Sequence, residues 1–127
     1  IEETAIYNMK ERIFHIRGVG IDKLNILYNN ADFLLYPSQY EGFGIPVIEA
    51  MRSGCPVIAS NFSSIPEISL GNALLVNQIK TDEFIQKIEL LNDEYFRNNL
   101  IEKAYEHSLK FSWDKCFDET FDFYKEI

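Results

Sequence analysis

The sequence predicts an α/β protein: a parallel sheet flanked by helices, with three further helices trailing it. Three observations carry this reading. Up to residue 76, strand-like apolar runs alternate with helix-like apolar spacing, as in a parallel sheet with crossover helices. Phe33-Leu34-Leu35-Tyr36 is an uninterrupted apolar run stopped by Pro37, the pattern of a strand buried on both faces. From Asp82 onward only helical spacing recurs.

Taken in order, Ala5, Ile6 and Met9 share a helical face, and Ile13-Phe14-His15-Ile16-Arg17 reads as a strand ending at Gly18-Val19-Gly20. Asp22 is placed to N-cap a helix carrying Leu24, Leu27 and Tyr28. The buried strand at Phe33 to Tyr36 is followed by the polar loop Ser38 to Gly44. Pro46 then fits the first turn of a helix and Gly54 its C-terminal cap. Pro56 to Ser60 gives another strand, Pro66-Glu67-Ile68 a brief turn, and Ala73 to Val76 a last short strand. Asp82, Asp93 and Ser112 each start a trailing helix. In the third, Trp113, Phe117, Phe121 and Tyr124 fall at helical spacing, which predicts core packing. His107 reads as part of a polar helix face, and Cys55 as a small buried hydrophobe.

At 127 residues, 46% hydrophobic and 25% charged, the chain has the composition of one ordinary globular core, residues 1–127 forming a single domain. Twenty acids against twelve bases give a net charge of −8, which argues against nucleic-acid binding through a broad basic face. Residues 82–127 hold twelve of the acids and six of the bases, so the helical tail is the acidic part. Cys55 and Cys116 have neither paired nor metal-like spacing and are expected to be reduced thiols. There is no apolar run of membrane-spanning length and no signal-peptide pattern. A first residue other than methionine suggests a piece of a longer protein.

The chemistry is concentrated in Pro37-Ser38-Gln39-Tyr40-Glu41-Gly42-Phe43-Gly44-Ile45-Pro46-Val47-Ile48-Glu49-Ala50-Met51. This segment joins the C-terminal end of a strand to the N-terminal end of a helix, where open parallel sheets bind ligands. Gly42 and Gly44 let backbone approach a ligand, and the free amides at a helix start suit a phosphate. Glu41 and Glu49 flank the amides with seven residues between them. Carboxylates accept from neutral hydroxyls and repel phosphate, so the pattern suits a ligand with phosphates in the middle and hydroxyls at both ends. Each part has a blander reading: turn glycines, solvated loop and helix acids. Their joint spacing favours the site.

The same run, followed by Gly54-x-Pro56-Val57-Ile58, resembles the donor-binding signature of retaining glycosyltransferases of family 4, also called group 1. Gly18-Val19, Leu27-Tyr28, Ala31-Asp32, Ser63-Ser64-x-Pro66-Glu67 and Phe111-Ser112-Trp113 fall in the order seen in the C-terminal half of such GT-B enzymes. The resemblance implies a Rossmann-like, nucleotide-sugar-binding C-terminal GT-B domain, truncated at its N-terminus. Glu41 would serve catalysis by contacting hydroxyls of the transferred sugar. The amides of Gly42, Phe43 and Gly44 would hold the donor diphosphate, with Phe43 and Ile45 shaping the wall, and Glu49 would bind the ribose. Arg17, Gly18 and Val19 would sit beside the base, although Arg17 could equally pair with a surface acid. Glu67 is more simply a helix-start acid than a donor ligand.

The resemblance implies transfer of a hexose, with retention, from a nucleotide-diphosphate-sugar to a glycan or lipid-linked acceptor, commonly in surface polysaccharide synthesis, with no metal or other cofactor expected. An Arg and a Lys that hold the diphosphate lie before residue 1 in family members, and the acceptor site belongs to the N-terminal domain. The 127 residues alone are therefore expected to bind donor weakly and to transfer nothing. The whole protein is expected in the cytoplasm, with peripheral contact at the inner membrane face through its N-terminal domain. The competing expectation is a non-catalytic nucleotide-binding module used for sensing or assembly.

Overall fold

A computed structural model describes residues 12–126. Three short parallel strands, β1 (Leu34–Tyr36), β2 (Val57–Ser60) and β3 (Leu74–Val76), form one sheet in the order β1-β2-β3. Leu34, Leu35 and Tyr36 pair with Val57, Ile58 and Ala59, and Ile58, Ala59 and Ser60 with Leu74, Leu75 and Val76. Helix α1 (Ile21–Asn30) precedes the sheet, α2 (Ile45–Arg52) and α3 (Ile65–Ser69) connect its strands, and α4 (Thr81–Leu90), α5 (Glu94–Ser108) and α6 (Trp113–Lys125) follow. The expected α/β architecture is present: a parallel sheet between helices.

The core has two sides because β2 is central and alternates its side chains. Val57 and Ala59 join Val47, Ala50 and Met51 of α2, Ile65 and Ile68 of α3, Tyr28 of α1 and Ala104 of α5. Ile58 points the other way and packs with Val76, Phe84, Leu91 and Leu100. All four β2 residues are buried. Helix α2 is thus pinned on its apolar side by Val47, Ala50 and Met51, which fixes the direction in which its N-terminus points.

Several expectations are corrected. Ile13 to Arg17 form no strand; Ile13, Phe14 and Ile16 are exposed, and no strand among the described residues pairs with them. Apolar, β-favouring residues do not make a strand without a neighbour to receive their backbone hydrogen bonds. Strand β1 is half-buried rather than buried, with Leu35 exposed, because among the described residues only β2 flanks it. The N-caps of α1 and α4 are Gly20 and Lys80, each two residues before the predicted Asp22 and Asp82, which lie in the first turns. Helix α6 buries no residue: Trp113, Phe117, Phe121 and Tyr124 are 78%, 66%, 51% and 71% exposed, so the aromatic stripe is not core. Its helical spacing is real, yet no residue of the helix is buried, and its first turn only borders an open cavity beside α2. His107 is buried, its Nε2 2.7 Å from the carbonyl oxygen of Ile68, because α5 packs that face over α3.

Other sequence signals match. Asp93 and Ser112 cap α5 and α6 through their side chains, accepting from the amides of Phe96 and Lys115. Pro46 stands in the first turn of α2, and Gly54 at φ 70° follows its end. Cys55 is buried and Cys116 exposed, both free.

Candidate functional site

The loop from Pro37 to Gly44 leaves the C-terminal end of β1 and delivers the chain to the N-terminus of α2. Gly44 is the N-cap residue, at φ 99° and ψ 43°, a left-handed conformation that L side chains resist. A Cβ there would also lie 2.7 Å from Ile65 Cδ1 and 2.9 Å from Ile68 Cδ1. Gly44 is required twice, by its backbone angle and by its fit against α3. Gly42 differs, since its φ is ordinary and nothing lies within 4 Å of where a Cβ would be. Open space on that side of the loop leaves room for a ligand.

Three serine hydroxyls hold the loop. Ser63 Oγ and Ser64 Oγ donate to the carbonyl of Glu41 at 2.8 and 3.1 Å, and Ser64 Oγ also reaches the carbonyl of Phe43 at 2.8 Å. Ser60 Oγ donates to the carbonyl of Ser38. With those carbonyls turned toward the β2–α3 connection, the amides of Gly42, Phe43 and Gly44 meet no acceptor among the described residues. Unpaired amides at a helix N-terminus carry the positive end of its dipole.

The two carboxylates are oriented by tyrosines. Glu41 Oε1 accepts from Tyr36 Oη at 2.6 Å and from Ser38 Oγ at 2.7 Å, which lowers its carboxyl pKa below the ordinary value. Tyr36 is pushed up in turn to about 12, by burial first and then by the carboxylate. Glu49 Oε2 accepts from Tyr28 Oη at 3.3 Å, and burial followed by Glu49 takes Tyr28 to about 12. Both tyrosines remain neutral donors across the physiological range.

Of the predicted site residues, Glu41, Gly42, Phe43, Gly44, Ile45 and Glu49 come together on this loop and helix. Phe43, Ile45 and Glu49 line a cavity of about 390 Å3 with Phe111, Trp113 and Cys116. Arg17, Gly18 and Val19 are placed elsewhere in the described structure, lining a smaller hollow of about 280 Å3 with Lys23, Ile26 and Leu27 and no residue of the loop. Glu67 is exposed in the first turn of α3. A larger hollow of about 660 Å3 lies at the opposite end of α2, between Asn25, Asn29, Ser53 and Tyr105, away from the glycine loop.

Sequence reasoning missed the supports: Ser63 and Ser64 beneath the loop, Tyr36 on Glu41 and Tyr28 on Glu49. Tyr36 lies only five residues before Glu41 and was within reach of a local reading, whereas Ser63, Ser64 and Tyr28 act from 21 to 23 positions away, where spacing along the chain assigns no partner.

The family model "Glycosyl transferases group 1" matches residues 1–107. The chain belongs to this family. It is 33% identical over 132 residues to O-antigen chain mannosyltransferase B of Escherichia coli, covering 98% of this chain and 34% of that protein. It is 40% identical over 94 residues to the O-antigen chain mannosyltransferase RfbU of Salmonella typhimurium, covering 72% and 27%. Among solved structures, sucrose-phosphate synthase of Thermosynechococcus elongatus superimposes with a TM-score of 0.86 at 26% identity, over 98% of this chain and 33% of that one. The C-terminal domain of a glycosyl transferase group 1 protein (LpcC) of Francisella tularensis superimposes with a TM-score of 0.67 at 25% identity, over 85% and 58%. The chain thus spans about a third of the length of the curated relatives it matches, and its architecture is that of GT-B C-terminal domains. Among the described residues, no helix is long and apolar enough to cross a membrane.

Proposed function

We propose that this chain is the nucleotide-sugar-binding, C-terminal part of a GT-B hexosyltransferase that acts with retention. The observation that carries the reading is the Gly42–Gly44 loop: unpaired amides at the start of α2, with one tyrosine-oriented carboxylate on each side. The amides and the helix end accept the donor diphosphate. As the sugar–phosphate bond breaks, charge grows on the leaving diphosphate, and the same donors stabilise it without a resident metal. Glu41, kept ionised by Tyr36 and Ser38, takes hydroxyls of the transferred sugar. Glu49 takes the ribose hydroxyls. Arg17, Gly18 and Val19 meet the base when the N-terminal part of the protein and the donor assemble the full cleft.

Mannose is the hexose to test first, since the O-antigen relatives above are named mannosyltransferases. The acceptor is then a growing glycan or a lipid-linked saccharide in surface polysaccharide synthesis, reached from the cytoplasmic side. The decisive experiment titrates the full-length protein with UDP-, GDP- and ADP-sugars and follows transfer of labelled sugar to crude acceptor lipid. Saturable binding of one class with transfer and a retained anomeric configuration is expected. Failure of every sugar nucleotide to bind would overturn the reading, and binding with inverted product would overturn its retaining part.

A further inference from the structure

We infer that Arg52 is a positioning residue for the donor loop, acting through Phe111 and Phe43. Arg52 ends α2, the helix whose other end carries the loop. Its Nε donates to Ser108 Oγ at 3.1 Å, and its Nη2 donates to the carbonyls of Ser108 at 2.7 Å and Phe111 at 2.9 Å. Ser108 ends α5, where carbonyls lack intrahelical partners, and a planar guanidinium can span two such oxygens as a point ammonium cannot. No carboxylate lies within ion-pair distance of Arg52 among the described residues, so its hydrogen bonds go to this connection.

Holding the carbonyl of Phe111 anchors the backbone from which its ring projects. That ring packs edge-on against Phe43, with centroids 5.9 Å apart and planes at 78°, and against His107 at 5.4 Å and 75°. His107 in turn contacts the carbonyl of Ile68, on the helix whose isoleucines abut Gly44. The contacts close a ring: α2, Arg52, the α5–α6 connection, Phe111, Phe43, and back to α2. Phe43 stands between Gly42 and Gly44, which have no side chains to anchor the loop, so the Phe111 contact supplies restraint that the glycines lack. The inference rests on the donor-site reading of this loop. Arg52 and Phe111 touch no donor atom in it; they hold the amides where the diphosphate needs them, before it arrives.

The test is a double-mutant cycle in the full-length protein, using whichever UDP-, GDP- or ADP-sugar the wild type binds. Arg52→Ala and Phe111→Leu should each weaken donor binding and raise donor KM by about three- to tenfold, leaving acceptor KM unchanged, and the double variant should be no worse than either. Arg52→Lys should recover only part of the loss. An unchanged donor KM in folded Arg52→Ala, or losses that multiply in the double variant, would overturn the inference; a merely structural arginine would lower Tm without this coupling. If Arg52→Ala does not fold, Arg52→Lys with Phe111→Leu runs the same cycle. A wild type that binds none of the three classes sinks the donor-site reading itself, whereas normal wild-type binding with indifferent variants sinks only the role of Arg52.

Discussion

Replacing Gly44 by alanine tests the loop's geometry directly. An alanine at φ 99° pays a backbone penalty of about 1–2 kcal/mol, because its Cβ crowds the neighbouring peptide. The new methyl also arrives 2.7 Å from Ile65 Cδ1 and 2.9 Å from Ile68 Cδ1. Those are the far ends of flexible side chains, so they can turn aside, but Ile65 is fully buried and Ile68 nearly so, and both already pack on α2. Overpacking of this kind costs about 1–3 kcal/mol. Stiffening of the unfolded chain returns about 0.4–1 kcal/mol, leaving a net destabilisation of about 1–4.6 kcal/mol. Gly42→Ala is the internal control: with open space and an ordinary φ, it should change stability by less than about 0.5 kcal/mol. Denaturant unfolding of the full-length protein, followed by far-UV circular dichroism, measures both. A Gly44→Ala loss no larger than that of Gly42→Ala would refute the claim that the fold demands glycine at the start of α2.

Glu49→Ala should weaken nucleoside diphosphate binding by about 1.5–3 kcal/mol on calorimetry, as a charged acceptor is lost, with Tyr28→Phe causing a smaller loss through orientation; an unchanged dissociation constant removes Glu49 from the site. Glu41→Ala should spare the bare nucleoside diphosphate and cripple sugar transfer, and equal losses for both ligands would contradict that division. Because Tyr36 and Ser38 lower the Glu41 pKa, the carboxylate's contribution to stability is complete above its ordinary 4.5 and is lost as pH falls through the depressed folded value. Tyr36→Phe should therefore move the acid limb of the transfer profile toward higher pH. Tyr28 and Tyr36 have the opposite sense: raised from 10.0 to about 12, they stabilise the fold fully below pH 10 and lose that contribution as pH rises through about 12. Thermal melts across that window should show alkaline destabilisation that is blunted in Tyr28→Phe.

What could be read from the chain alone is what neighbouring residues decide among themselves. Asp93 and Ser112 cap their helices with their own side chains, and Pro46 and Gly54 bracket α2, because capping and φ preference act within a few positions. The loop was legible for the same reason: strand end, glycines, both carboxylates and helix start lie within fifteen consecutive residues. Tertiary structure decided everything that depends on a distant partner. Ile13, Phe14 and Ile16 have the side chains of a strand yet stand exposed, since a strand exists only where another backbone answers it. The α6 stripe and His107 reversed their expected burial, because helical spacing says which side chains share a face and not what that face meets. The groups that set the loop, Ser63 and Ser64 some 22 residues from Glu41, and Phe111 held by an arginine 59 positions away, are brought to it only by the packing of α3 and α5 around α2.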